Sequence, residues 1–242
     1  MVVAIRGFRF GLDVGENVDR DEFVDLVRRA DSSGFSVVTG PDHVGSRLAA
    51  VLPMLSVAAA VSPRIRVSPM VLANDFRHPV VLAKDTATID ILSEGRFELG
   101  IGTGWIKAQY QAAGVRYEPA RIRVDQFEEL ITVIKGCWSG EPFSFARDHY
   151  HVKDVTCPRP LQQPHPPILI AGAGPRMLKI AGQEADIVSI APATPAVQRS
   201  RDSPMTSSRR VTMSPVKSTG FVKERDPDSA VSSSVSSPTM SP

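Results

Sequence analysis

Apolar and polar positions along this chain alternate between two periods. Phe8 to Leu12 reads as a first strand. Asp19 then opens a helix with Glu22 three residues on, the spacing of a capping box, and Phe23, Leu26, Val27 and Ala30 form its buried stripe before Gly34. Phe35 to Thr39 predicts a second strand, Leu48 to Val61 an Ala-rich helix, and Ile65 to Leu72 a third strand. Pro79 suits a helix first turn, Val80, Ala83, Ala87 and Ile91 recur at helical spacing, and Gly95 supplies a left-handed stop. Phe97 to Ile101 predicts a fourth strand. After a longer insertion, Arg121 to Lys135 predicts a helix that stops at Gly136, with Val124, Phe127, Ile131 and Ile134 on one face. Phe143 to Phe145 and Tyr150 to Val152 form a hairpin. Pro164 to Pro167 leads stiffly into a fifth strand, Ile168 to Ala171, then a helix to Gly182 and a sixth strand, Ile187 to Ile190.

Regular βα alternation with unbroken apolar strands predicts an α/β fold, either a doubly wound parallel sheet or a TIM-type barrel; periodicity alone does not choose. From about Pro195 the pattern stops, and Ser becomes the commonest residue among Pro, Thr, Arg and Met, a composition expected to stay disordered. The division predicted is a folded domain over 1–194 and a Ser/Pro/Arg-rich tail over 195–242.

Composition narrows the function classes. A net charge of +2 gives no global pull toward nucleic acid or an anionic membrane, and the basic residues of the tail lack interleaved aromatics for base stacking. Cys137 and Cys157 are too few for a disulfide framework and lack metal spacing, which fits a reducing cytosol. His149 and His151 flank Tyr150 without a third ligand, so no metal site is predicted. No signal segment or membrane-length apolar run is legible, and the expected location is the cytoplasm.

Three loops carry candidate chemistry on their residue types alone. Gly172-Ala173-Gly174-Pro175 enters a helix from a strand, where free N–H groups and the helix dipole suit a phosphate. Asp42-His43 follows the second strand, where a histidine can exchange protons with a ligand; the plainer reading is a structural histidine beside a capping carboxylate. Gly102-Thr103-Gly104-Trp105 ends the fourth strand, and glycines there let backbone approach a flat ligand.

The stretch RHPVVLAKDTATIDILSEGRFELGIGTGW, Arg77 to Trp105, resembles the signature of the luciferase-like flavin and deazaflavin oxidoreductases, above all the branch that uses coenzyme F420. The resemblance ends near Ala193. It implies a TIM-type (β/α)8 barrel, incomplete at the C-terminus because only six strands are counted before the tail. It implies hydride transfer between F420 and a small organic substrate, with an FMN-dependent monooxygenase as the alternative. A further alternative is an inactive truncated barrel that binds coenzyme or a partner.

In similar proteins His43 lies near the reactive face of the ring, with Asp42 orienting it or touching the ring. A non-proline cis peptide is implied at Met70–Val71, propping the ring, with Ala73 and Asn74 in contact with it. Gly102 and Thr103 form a pocket wall, and Ala171, Gly172, Ala173 and Gly174 receive the coenzyme's phosphate. Some F420 sugar dehydrogenases carry an acidic residue where Trp105 stands; its absence argues against a phosphosugar and for a more apolar substrate region. Homodimers are common among similar proteins. His78 is expected to begin its helix rather than to perform chemistry.

Overall fold

The computed structural model describes residues 8–15 and 19–190. The tail and the predicted boundary at 194–195 lie outside the described residues.

Strand β1 (Gly11–Asp13) leads to helix α1 (Arg20–Ser32) and β2 (Val37–Gly40), followed by α2 (Val51–Val61), β3 (Arg66–Pro69), β4 (Leu72–Ala73) and a 3₁₀ turn at Asn74–Phe76. Helix α3 (Pro79–Leu92), β5 (Leu99–Gly102), α4 (Lys107–Ala112) and α5 (Ala120–Cys137) come next. The hairpin β6 (Phe143–Ala146) and β7 (His151–Val155) precedes β8 (Ile168–Ala171), α6 (Pro175–Glu184) and β9 (Ile187–Ser189).

The hairpin strands aside, all strand pairs are parallel, in the orders β1-β2-β3 and β4-β5-β8-β9. A bridge between Val67 and Phe97 joins the two groups, so β3 and β4 are two halves of one strand position beside β5. Each strand therefore neighbours the next parallel strand along the chain. A doubly wound sheet would reverse its order at a switch point. This array never reverses, and so it is an arc of a barrel.

One face of the arc is packed beneath the helices. Val38, Val67, Leu72, Leu99, Ile101, Ile168 and Ile170 have no exposed surface, as expected where parallel strands lie beneath crossover helices. Leu55 and Ala58 of α2, Leu82 and Ala83 of α3, and Phe127 and Leu130 of α5 complete that core. Trp138 ties α5 to α3 by donating from Nε1 to the Ala83 carbonyl at 3.1 Å. Strand β5 crosses close to β3: a Cβ on Gly100 would stand 1.9 Å from the Pro69 carbonyl oxygen. Only glycine permits that approach.

Several boundaries depart from the sequence expectation for local reasons. The third strand breaks at Met70–Val71, whose peptide bond is cis. Helix α2 begins at Val51 rather than Leu48, because the preceding loop is stitched by Ser46: its hydroxyl donates to the His43 carbonyl at 2.8 Å and accepts from the Leu48 N–H. Gly136 is not a helix stop. It lies inside α5 at a close approach, where a Cβ would meet the Phe143 ring at 2.2 Å. Ile91 is exposed rather than buried, because α3 turns Asp90 inward, where it accepts from the Gln162 backbone at 2.9 Å and amide at 2.6 Å. Helix α4 went unpredicted; six residues are too few to show a period.

Candidate functional site

The C-terminal ends of the parallel strands bring most of the candidate residues to one rim. Ala73, Gly102 and Ala171 stand in register across β4, β5 and β8, and Ser189 of β9 continues the row. Four small residues at one level form a flat wall, a shape that suits a planar ligand. The cis Met70–Val71 bulge abuts this wall, with Val71 Cγ2 against Gly102.

Asn74 follows directly after β4. It is fully buried, and among the described residues its amide nitrogen and oxygen make no well-formed hydrogen bond, although the amide does act on the neighbouring Asp75 carboxyl, which it helps to lower. An unpaired buried amide costs about 1–3 kcal/mol. At the end of the row it presents an amide donor and acceptor that the polar edge of a ligand would satisfy.

At the far side of the wall, Gly174 begins α6, and no side chain caps the first-turn N–H groups of that ten-residue helix. The space around Gly174 is open, with no heavy atom within 4 Å of where a Cβ would be. An uncapped helix start behind an open glycine suits a phosphate. Gly172 is less free, since its N–H donates to the Ser189 carbonyl at 3.2 Å. Arg176 is turned outward to Asp125 and Glu128.

The Asp42 side chain is engaged by Arg77 and the Ala73 backbone. It is 6% exposed and is held bidentately by Arg77, at 2.6 and 2.9 Å, while also accepting from the Ala73 N–H at 3.1 Å. It locks the loop after β2 onto the loop after β4, and it does not hydrogen-bond His43. The His43 ring instead meets Gln109 of α4, Nδ1 to Oε1, at 3.3 Å. His43, Asp42, Ser46, Leu48, Ala49 and Arg77 line a cleft of about 270 Å³. A second cleft, of about 290 Å³, lies between α1 and the start of α2 and shares Ala49 and Ala50 with the first.

The loop after β5 is clamped from outside. Arg123 of α5, itself buried, donates from Nη1 to the carbonyls of Thr103 (2.8 Å) and Gly104 (2.6 Å) and lies 4.3 Å above the Tyr117 ring. Tyr110 donates its hydroxyl to Asp75 at 2.9 Å. Burial raises the Asp75 carboxyl above its ordinary range, against the opposing pull of that hydrogen bond and of Arg123. Desolvation raises the Tyr110 phenol likewise, reinforced by the Asp75 charge. Trp105 stays more than half exposed at the rim.

His78 caps α3, accepting from the Val80 N–H at 3.3 Å. His149 and His151 sit in the hairpin, whose tip is held by Glu129 accepting two backbone N–H groups. Among the described residues no three His, Cys, Asp or Glu side chains converge as metal ligands, and no helix is long and apolar enough to cross a membrane. Sequence reasoning missed Arg77, Asp75, Gln109, Tyr110 and Arg123. Only Arg77 left a signal, since a buried loop carboxylate needs a cationic partner.

A sequential parallel arc with a small-residue wall and an open helix start at its C-terminal rim defines the class as a parallel (β/α) barrel. Residues 2–202 match the family described as luciferase-like monooxygenase, and the chain belongs to that family. It is 33% identical over 187 residues to an F420-dependent glucose-6-phosphate dehydrogenase of Microbacterium testaceum, covering 74% of this chain and 55% of that protein. It is 31% identical over 175 residues to the oxygenase component of a flavin-dependent trigonelline monooxygenase of Acinetobacter baylyi, covering 71% and 48%. The chain thus spans about half the length of the curated relatives it matches.

Among solved structures, a monooxygenase of Streptomyces bottropensis superposes with a TM-score of 0.69 at 24% identity, over 80% of this chain and 63% of that one. The coenzyme F420 dependent tetrahydromethanopterin reductase of Methanopyrus kandleri gives 0.68 at 24%, over 75% and 55%. These likenesses establish the barrel fold.

Proposed function

We propose that the chain is an oxidoreductase transferring a hydride between coenzyme F420 and a small organic substrate. The observation that carries this reading is the buried Asn74 amide, which makes no well-formed hydrogen bond among the described residues, at the end of the Ala73–Gly102–Ala171 row. A planar heterocycle with polar edges would satisfy that amide while lying against the row. Met70 and Val71 would back the ring, Thr103 would wall one side, and Ala171 to Gly174 with the start of α6 would hold the phosphate. When bound, the deazaflavin supplies the two-electron chemistry as hydride donor or acceptor. His43 would move a proton at its free ring nitrogen, and Asp42 would act through Arg77 by fixing the rim.

The F420 preference rests on the dehydrogenase relatives, of which the Microbacterium protein is one. FMN-dependent monooxygenation is the second reading. The trigonelline monooxygenase, at 31% identity, favours it. The proposal carries with it a cytoplasmic location and, as the resemblance implies, a pairing of like chains.

A fluorescence titration of the full chain with F420 beside FMN is the test. Saturable binding of F420 alone is the expected result. A preference for FMN moves the assignment to the monooxygenase reading. Binding of neither, by a chain shown to be folded, overturns both and leaves a barrel without the family's activity.

A further inference from the structure

We propose that Gln109 is a positioning residue for His43, fixing the imidazole as the Nδ1–H tautomer so that Nε2 carries the lone pair presented to substrate. The proposal rests on the reading above in that it gives His43 a proton to move.

A neutral imidazole has one donor nitrogen and one acceptor nitrogen, and the partner of one decides the role of the other. Here Nδ1 faces Gln109 Oε1 at 3.3 Å, and among the described residues the ring makes no second hydrogen bond. A carboxamide oxygen only accepts, so Nδ1 holds the proton and Nε2 is left to the cleft. Were the amide reversed, its NH₂ would donate to Nδ1 and the tautomer would invert. The side chain at 109 is therefore the switch that makes His43 a base or a donor toward the cleft. The charged groups lining that cleft, Asp42 and Arg77, are spent on each other.

Gln109 is well placed to impose this. Its neighbour Tyr110 is buried, donates to Asp75 at 2.9 Å, and packs on Phe76 and Tyr117 at 4.7 and 4.9 Å between ring centroids. Tyr110 also fills the space beside Gly104, where a Cβ would stand 1.9 Å from its hydroxyl oxygen. Through these two adjacent residues, α4 clips together the loops after β2, β4 and β5. A side chain whose backbone is anchored in this way holds its partner with little loss of rotamer freedom.

The test is long-range ¹H–¹⁵N correlation NMR of the full chain labelled at histidine, with the His43 signals assigned from His43→Asn. The expected result is a protonated Nδ1 and a lone pair on Nε2 in the wild type. Gln109→Leu should shift His43 toward the other tautomer, and Gln109→Glu, which can only accept, should preserve the first. In turnover with F420, Gln109→Leu should lose about tenfold or more in kcat, within the range of general acid–base catalysis, with coenzyme affinity unchanged. Gln109→Glu should restore most of that loss. A wild-type His43 protonated at Nε2, or a tautomer indifferent to the Leu substitution, overturns the proposal. The NMR result needs no coenzyme, so failure of F420 binding is distinguishable from failure of this assignment.

Discussion

The two ends of the parallel arc are built on opposite terms. At the N-terminal end of the strands, Glu98 accepts from Arg66 at 2.5 Å and from Arg9 at 2.7 Å. Gln162 accepts from Arg66 at 2.9 Å and donates to Asp90 and to the Phe97 carbonyl. Arg96 reaches the Ile65 and Ala59 carbonyls, leaving only its Nε unpartnered. At the C-terminal end, ion pairs and clamps surround a wall of small residues, yet both Asn74 amide atoms lack a well-formed hydrogen bond and α6 begins without a cap. One end closes its polar groups on itself, while the other holds its loops rigid and leaves a few polar groups for something else to satisfy. That division is expected of a barrel whose lower end supplies stability and whose upper end supplies chemistry.

The largest effect on stability should come from the lower end. Glu98→Ala removes the carboxylate from Arg66 and should cost about 2–3 kcal/mol in urea unfolding. This lies below the usual range for stripping a buried pair because Arg66 keeps its bond to Gln162. Coenzyme affinity should not change; a matching loss of affinity would show that the two ends are not independent. The opposite sign is expected at the top. Asn74→Leu replaces an unsatisfied amide by an apolar side chain of similar size and should stabilise the chain by about 1–2 kcal/mol while weakening coenzyme binding at least tenfold. Destabilisation by that change would mean Asn74 is already satisfied without a ligand.

Asp75 tests the comparison through pH. Its folded-state carboxyl is raised above the ordinary 3.8, so the folded chain holds this proton more tightly than the unfolded one. The stability it contributes is present in full below that value and is lost as pH rises through the raised titration. Asp75→Asn should therefore exceed the wild type in stability at pH ~7, with the gap closing toward pH ~4. Unfolding curves at the two pH values check it. Smallest in stability is Gly174→Ala, where the added methyl meets open space and should shift stability by less than about 0.5 kcal/mol. The same substitution should weaken coenzyme binding measurably in the titration, since it narrows the approach to the α6 start.

Much of this was legible in the chain itself. Strand and helix order followed from periodicity, because parallel strands beneath crossover helices read as unbroken apolar runs. The glycine-rich rim loops were visible as interruptions at strand ends. Elements without a period were not: α4 has six residues, and the partners of His43 and Asp42 come from positions 66 and 35 residues away.

Sequence alone determined the order of most elements, the family and the glycine-rich loops at the rim. These depend on local spacing and on residues near one another along the chain. The tertiary structure decided which groups meet. It gave Asp42 to Arg77 and His43 to Gln109, aligned Ala73, Gly102 and Ala171 in one row, and left Asn74 without a well-formed hydrogen bond beside it. The reason is physical: hydrogen bonds and strand register join groups across the barrel, and no pattern within one segment records its distant partner.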